Sequence, residues 1–249
     1  MKLNQRSATD LCWFFDYDGT LCPHQEVWEE RSYNPDEIVA VIDHLFERGS
    51  LIYWNTGRRP ESLAGVDARF MKWPGYYIQG SLFVGGESLA RERLGLALPA
   101  TLLVAAQQSL KSYPDLKLEI KETSLRVATQ NQRARRDLEK WAKLFTNQLQ
   151  APWVLILGHR GAELIQSSCH KGTAIKHALG QKTLKGRRPI ALGDDLMDKS
   201  AMQAALDAGG YAVAVGDACG WVTELTHKPD QLLFFETPAR LHDALRSWF

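Results

Sequence analysis

Two aspartates two positions apart, Asp16 and Asp18, follow five apolar residues, Leu11-Cys12-Trp13-Phe14-Phe15, and lead into Gly19-Thr20. The apolar run predicts a strand buried on both faces. A buried strand ending in Asp-x-Asp delivers both acids to its carboxyl end, where open α/β sheets bind their ligands. One carboxylate there can act as a nucleophile and the other can carry a proton. An ordinary acidic turn looks the same in isolation, so the remainder of the chain decides.

Three further segments carry polar groups at comparable places. Leu51-Ile52-Tyr53-Trp54 runs into Asn55-Thr56-Gly57-Arg58, and Pro189-Ile190-Ala191-Leu192 runs into Gly193-Asp194-Asp195, with Asp198 close behind. Lys171 opens a helix that begins Lys171-Gly172-Thr173-Ala174-Ile175. If the strands are parallel, all these groups meet on one edge of the sheet. Carboxylates with one lysine and one hydroxyl, and no catalytic His or Cys motif, suit phosphoryl transfer with Mg²⁺, a hard cation that takes oxygen ligands. Structural readings stand beside these: Thr56 or Asp198 as a helix cap, Lys171 as a solvated first-turn lysine. For Lys171 that reading is poor, because a cation gains nothing at the positive end of a helix.

The elements that must position these groups follow from the pattern. Asn34-Pro35-Asp36-Glu37 is a helix start, with a capping residue, proline in the first turn and acids near the positive end. Ile38, Val41, Ile42 and Leu45 give that helix an apolar stripe, and Gly49 ends it. The strand–helix–strand order predicts a right-handed parallel crossover. A helix over Arg59 to Phe70 and a strand at Tyr76-Tyr77-Ile78 come next. Then Leu116 to Lys121 and Leu125 to Ala128 alternate apolar with polar residues, the mark of an antiparallel sheet with one wet face. Helices over Pro99 to Ser112 and Gln132 to Gln150, and strands at Trp153 to Leu157 and Ala162 to Ile165, complete an α+β insert at residues 82–166. The flanking residues 1–81 and 167–249 form one doubly wound α/β unit, with strands at Pro189 to Leu192 and Tyr211 to Val215 and a closing helix over Thr237 to Trp248. Gly80, Gly85, Gly86 and Ser167-Ser168 are candidate hinges, and the polar stretch from Cys22 to Asn34 is a loop that covers the site.

The bulk properties exclude several function classes. With a formal charge of +1 over 249 residues, nothing draws the chain toward nucleic acid or an anionic membrane. No apolar run approaches the roughly 20 residues of a membrane span, and Met1 to Arg6 lacks the apolar stretch of a secretion signal. Cys12, Cys22, Cys169 and Cys219 show no CxxC spacing and read as free thiols in the cytoplasm. A monomer or small homo-oligomer is expected.

In order and residue type, Asp16-Tyr17-Asp18-Gly19-Thr20, Thr56 with Gly57-Arg58, Lys171-Gly172, and Gly193-Asp194-Asp195 with Asp198 resemble the four motifs of the haloacid dehalogenase (HAD) superfamily of phosphohydrolases. The resemblance implies a HAD-like core with an inserted α+β cap. It also implies that Asp16 attacks phosphorus to form an aspartyl-phosphate, and that Asp18 gives a proton to the leaving alcohol and later takes one from water. Mg²⁺ would be held by Asp16, the backbone carbonyl of Asp18 and Asp194, with Asp195 at the same site. Thr56 would bind a phosphate oxygen beside Gly57 and Arg58, and Lys171 would neutralise phosphate and Asp16. Asp198, with Asp195, would orient metal waters or Lys171.

The place of the insert, between Thr56 and Lys171, is similar to that of α/β-lid HAD enzymes, which implies a small phosphomonoester substrate. Within them the chain looks most like the trehalose-6-phosphate phosphatase family. Glu119-Ile120-Lys121-Glu122-Thr123-Ser124 matches that family's Glu-x-Lys-x-x-Ser strand, and Gly158 to Glu163 resembles its Gly-Lys-x-x-x-Glu segment. By that analogy Glu119, Lys121 and Glu163 bind sugar hydroxyls; alternatively, Glu119 and Lys121 are a solvated strand face. The chain departs from the family at Val127-Ala128-Thr129 (for His-Tyr-Arg), Ile165-Gln166 (for Arg-Pro), Gln79-Gly80-Ser81-Leu82 (for Gly-Asn-His-Gly) and Met197-Asp198-Lys199 (for Thr-Asp-Glu). These differences put the sugar in question and leave sucrose-phosphate and Cof-like sugar phosphatases open. A phosphomutase on the same core and an idle phosphosugar sensor are the competing functions. Arg133, Arg135, Arg136, Lys185, Arg187 and Arg188 read as solvated, His170 as a cap or surface group, and Trp13, Trp54 and Trp153 as core.

Overall fold

In the computed structural model the described residues are 7–23, 34–129, 134–158, 161–216, 219–228 and 230–248. Met1 to Arg6, residues 24–33 of the expected covering loop, Arg133, and the side chain of Cys219 lie outside them. Two sheets organise the chain. The larger has eight strands in the order β12 (Leu232–Phe235), β11 (Tyr211–Val215), β10 (Arg188–Gly193), β1 (Leu11–Phe15), β2 (Leu51–Asn55), β3 (Gly75–Tyr77), β4 (Leu82–Val84), β5 (Arg91–Arg93).

Its middle strand, β1 (Leu11–Phe15), is buried at every position. It pairs in parallel with β2 (Leu51–Asn55) on one side and β10 (Arg188–Gly193) on the other. Registers of Phe15 with Trp54 and Phe14 with Ala191 bring the three carboxyl ends level. Alternate residues feed the two faces. Trp13, Phe15 and Trp54 pack with Ile38, Val41 and Leu45 of α1 (Pro35–Glu47) and with Leu241 and Leu245 of α7 (Pro238–Ser247). Phe14 and Tyr53 pack with α5 (Lys171–Leu179) and α6 (Lys199–Asp207), whose Ala174, Ala178, Ala201, Ala204 and Ala205 let the helices lie close to the sheet. Each large side chain so buried contributes about 1.5–3 kcal/mol. Asn34 caps α1 as expected, accepting from the Asp36 N–H at 3.0 Å. Trp13, Trp54 and Trp153 are buried, and Cys12, Cys22 and Cys169 are free thiols. Among the described residues no helix is long and apolar enough to cross a membrane.

Three sequence expectations require correction, and one strand goes beyond them. The helix over Arg59 to Phe70 is short, α2 (Pro60–Ala64), because Gly65 ends it and Asp67 caps a separate 3-10 turn over Ala68–Lys72. The junction expected at residue 82 falls inside the large sheet: β4 (Leu82–Val84) and β5 (Arg91–Arg93) pair antiparallel beyond β3 (Gly75–Tyr77). Gly85 and Gly86 therefore lie in the connection between two core strands rather than at a hinge. Arg187 is not solvated; its guanidinium donates to the carbonyls of Leu11 and Gly49 at 3.2 and 2.9 Å. Finally, β12 (Leu232–Phe235) extends the parallel edge beside β11 (Tyr211–Val215).

The smaller sheet is antiparallel, ordered β6 (Leu116–Ile120), β7 (Leu125–Thr129), β9 (Gly161–Gln166), β8 (Trp153–Leu157). Leu116, Leu125, Val127, Ala162, Leu164 and Trp153 form one face and pack under α3 (Ala100–Leu110) and α4 (Arg135–Thr146), the latter supplying Leu138, Trp141 and Phe145. The opposite face carries a polar row. Glu119 pairs with Arg126, and Arg126 pairs with Glu163, so the three side chains share one side of the sheet. This row turns toward the large sheet, as the contacts of its neighbours show.

Candidate active site

Asp16 is the first residue past β1, and its carboxylate meets the first residue of α5: Lys171 Nζ lies 2.9 Å from Asp16 Oδ1 and 2.6 Å from Asp198 Oδ1. The helix that delivers Lys171 is fixed at its start. His170 Nδ1 accepts from the N–H groups of Gly172 and Thr173 (3.2 and 3.3 Å), and the Thr173 hydroxyl accepts from the His170 N–H. His170 is thus a cap, and burial lowers its pKa toward the neutral acceptor form. Asn55, at the end of β2, donates to the Lys171 carbonyl at 3.1 Å. Gly172 is required here, since a Cβ would lie 2.4 Å from the Ser200 carbonyl oxygen.

The Gly193-Asp194-Asp195 turn is shaped by Asp198. Its Oδ2 accepts from the N–H groups of Asp194 and Asp195, both at 3.1 Å. A side chain at Gly193 would place Cβ 2.1 Å from Asp198 Cγ, so only glycine lets that carboxylate fold back over the turn. Asp198 therefore holds Lys171 and ties the Asp194-Asp195 turn, while its side chain makes no capping bond to α6. Asp194 Oδ1 accepts from the Thr20 hydroxyl at 3.2 Å.

Carboxylate oxygens of Asp16, Asp194 and Asp198 lie within 4.8 Å of one another, all buried. Burial pushes Asp16 well above its ordinary pKa; Lys171 opposes this, while Asp198, Asp194 and Asp18 add to it. Burial likewise raises Asp198 against the pull of Lys171. Lys171 behaves in reverse: burial alone would lower its pKa, but Asp16 and Asp198 outweigh it and hold the ammonium charged. Three carboxylates against one ammonium leave uncompensated negative charge in a dry place, which a cation would offset. The donors fit one. Asp198 is already committed through both oxygens, leaving Asp16 and Asp194 as hard oxygen donors at the mouth of the sheet. Asp195, expected among the ligands, is not in this cluster among the described residues. Its Oδ1 accepts from the Leu196 N–H at 2.6 Å, and its Oδ2 faces Gly158 so closely that a Cβ there would come within 2.5 Å.

Asp18 and the Thr56-Gly57-Arg58 turn meet on the other flank. Arg58 donates through Nε and Nη2 to the two oxygens of Asp18 at 2.7 and 2.6 Å. Its guanidinium also lies 4.9 Å from the centroid of the Tyr17 ring and reaches the Ser62 hydroxyl at 3.3 Å. The Thr56 hydroxyl is buried and accepts from the Arg58 N–H at 3.2 Å, so it too serves as a turn cap.

The smaller sheet seats its polar row on this flank. Lys121 Nζ donates to the Gly57 carbonyl and pairs with Glu163 Oε1, both at 2.7 Å. The Ser124 hydroxyl donates to the same Glu163 oxygen at 3.0 Å, and Gln79 Nε2 donates to Glu163 Oε2 at 3.0 Å. Burial alone would raise the Glu163 pKa, but Lys121, the Gln79 hydrogen bond and the charge of Arg126 hold it below the ordinary range. Lys121 and Glu163 are thus buried partners rather than part of a wet face. Glu119 lies in the same row as Arg126 and Glu163, but its side chain makes no hydrogen bond among the described residues. Sequence reading assigns no role to Arg126 or Gln79, and to Ser124 only a place in the matched Glu-x-Lys-x-x-Ser strand. Alternation puts Arg126 on the polar face of β7, but only the strand register sets it beside Glu163. Arg135, expected in solvent, donates to the Gly158 carbonyl at 2.7 Å and so secures the turn that touches Asp195.

No family model matches this sequence. It is 26% identical over 228 residues to a protein of Sinorhizobium fredii (strain NBRC 101917 / NGR234) named "Probable trehalose-phosphate phosphatase", a match spanning 84% of this chain and 80% of that protein. Among solved structures it superposes on the C-terminal domain of C. albicans trehalose-6-phosphate phosphatase with a TM-score of 0.79 at 18% identity, over 98% of this chain and 92% of that one. It also superposes on a HAD subclass IIB sugar phosphatase with a TM-score of 0.69 at 15% identity, over 95% and 98% of the two chains.

Proposed function

Taking the HAD-type fold of this chain as the premise, we propose that it is a Mg²⁺-dependent phosphomonoesterase of sugar phosphates, with trehalose-6-phosphate the leading substrate. The observation that carries this reading is the pairing of Asp16 with Lys171 beside Asp194, under a sheet face that brings Lys121 and Glu163 to the same mouth. The relative named for trehalose-phosphate dephosphorylation supports the substrate.

Asp16 attacks the phosphorus of the monoester, forming an aspartyl-phosphate and splitting hydrolysis into two displacements. Asp18 protonates the departing sugar oxygen in the first and takes a proton from water in the second. Lys171, held by Asp198, faces the charge that develops on the phosphoryl oxygens. Thr56 and the Gly57-Arg58 turn bind phosphate oxygens, a group for which Arg58 would exchange its present hold on Asp18. Asp16, Asp194 and the Asp18 carbonyl would hold Mg²⁺, with Asp195 beyond them, and the ion when bound offsets repulsion between the anionic nucleophile and the phosphate. Glu163, Lys121 and Glu119 offer hydroxyl-binding groups to the sugar.

The test is phosphate release from a panel of sugar phosphates, with Mg²⁺ and with chelator. Fastest turnover of trehalose-6-phosphate that stops in chelator is the expected result. Activity surviving in chelator would refute the metal, and no preference for the disaccharide would refute the substrate. Isomerised sugar phosphate without free phosphate would identify a phosphomutase instead.

A further inference from the structure

Immediately after β3 the backbone enters the left-handed region at three consecutive residues, Ile78 (φ 51), Gln79 (φ 57) and Gly80 (φ 87). Glycine accepts this freely, but a β-branched isoleucine and a glutamine do not, so the surroundings must hold them there. The turn is tied directly onto the Thr56–Arg58 segment. Ile78 N–H donates to the Arg58 carbonyl at 3.0 Å and Gln79 N–H to the Thr56 carbonyl at 3.2 Å, while the Ser81 hydroxyl donates to the Ile78 carbonyl at 2.7 Å. This backbone sends the Gln79 side chain inward, where it is 6% exposed and its Nε2 meets Glu163 Oε2 at 3.0 Å. Gly57 clears the path: a Cβ there would lie 2.5 Å from Gln79 Nε2 and 3.6 Å from Glu163 Oε2.

We infer that Gln79 is a positioning residue that sets the selectivity of this enzyme for its leaving group, acting through Glu163. This rests on the sugar-phosphatase reading above. Glu163 has its Oε1 held from the smaller sheet by Lys121 and Ser124, and among the described residues only Gln79, a core residue, donates to Oε2. The amide thus fixes the carboxylate's rotation about its last torsion at the place where a sugar would meet it. A group of this kind matters for substrates that present hydroxyls to Glu163 and is irrelevant to a phosphate ester that has none.

Gln79→Gly separates this role from a structural one, because glycine suits the left-handed backbone better than glutamine does. Gln79→Glu supplies the control of equal volume, replacing the donor by a group that repels Glu163. The expected outcome for Gln79→Gly is a cooperatively folded protein, relief of the left-handed backbone offsetting part of the lost buried hydrogen bond, with unchanged turnover of p-nitrophenyl phosphate. Its kcat/KM for the preferred sugar phosphate should fall about tenfold to hundredfold, the scale of a lost hydrogen bond to a charged group. The fall should appear mainly in KM. Gln79→Glu should lose at least as much on the sugar phosphate while still turning over the aryl ester. Wild-type selectivity in both variants, or equal losses on the aryl and sugar esters, would overturn the assignment. If the unaltered enzyme hydrolyses the aryl ester but no sugar phosphate, the functional reading fails and the role of Gln79 falls with it.

Discussion

Asp18 and Arg58 meet fork to fork, two parallel N–H to oxygen bonds of 2.6 and 2.7 Å across the catalytic mouth. The planar guanidinium, stacked beside Tyr17, matches the carboxylate in a way an ammonium cannot. Arg58→Lys keeps the charge and loses the fork. Its kcat/KM toward sugar phosphates should drop by about ten- to hundredfold, the cost of one charge-assisted bond. Steady-state kinetics would check this, and an unchanged kcat/KM would show that the fork serves neither Asp18 nor the substrate.

Lys171 pairs at once with Asp16 and Asp198, all three buried. Lys171→Met removes the ammonium and leaves two carboxylates facing each other out of water. Such a break costs about 3–5 kcal/mol of stability, readable as a lower midpoint in urea, and phosphatase activity should fall below detection. Full activity in a stably folded Lys171→Met protein would remove Lys171 from the chemistry.

His242 supplies a pH dependence. Burial, with Arg246 adding to it, pushes its pKa from 6.5 down to about 4, against a hydrogen bond to the Leu21 backbone that acts the other way. Below its ordinary value the unfolded chain takes up a proton that the folded chain refuses, so stability is complete above 6.5 and is lost as pH falls toward about 4. Between pH 7 and 5 this amounts to on the order of 1–2 kcal/mol. His242→Gln should flatten that limb in urea titrations at the two pH values. An unaltered slope would show that other groups cause the acid loss.

The parts of the site that were legible in the sequence are those carried by long apolar runs. Leu11 to Phe15, Leu51 to Trp54 and Pro189 to Leu192 could only be buried parallel strands, and the acids, hydroxyl and glycines at their ends fall together once the strands align. Lys171 was legible for the opposite reason, as a cation misplaced at a helix start. What stayed hidden depends on distant register or on backbone conformation. Arg91-Glu92-Arg93 is an exposed edge strand with no apolar pattern to announce it. Arg126 gains its place beside Glu163 only from strand pairing. The left-handed turn at Ile78-Gln79 runs against local preference and is held by the Thr56–Arg58 segment it contacts. Asp195 matched the metal-binding pattern, yet its carboxylate closes its own turn at Leu196.

The most direct measurement is a search for phosphoryl transfer to Asp16. The enzyme is quenched in acid while turning over a sugar phosphate, and its peptides are mapped by mass spectrometry. The expected result is one added phosphoryl group on the peptide containing Leu11 to Leu21, located at Asp16, and neither adduct nor turnover in Asp16→Asn. A wild-type enzyme that turns over without any covalent phosphoprotein, or an Asp16→Asn protein with normal turnover, would contradict Asp16 as the nucleophile.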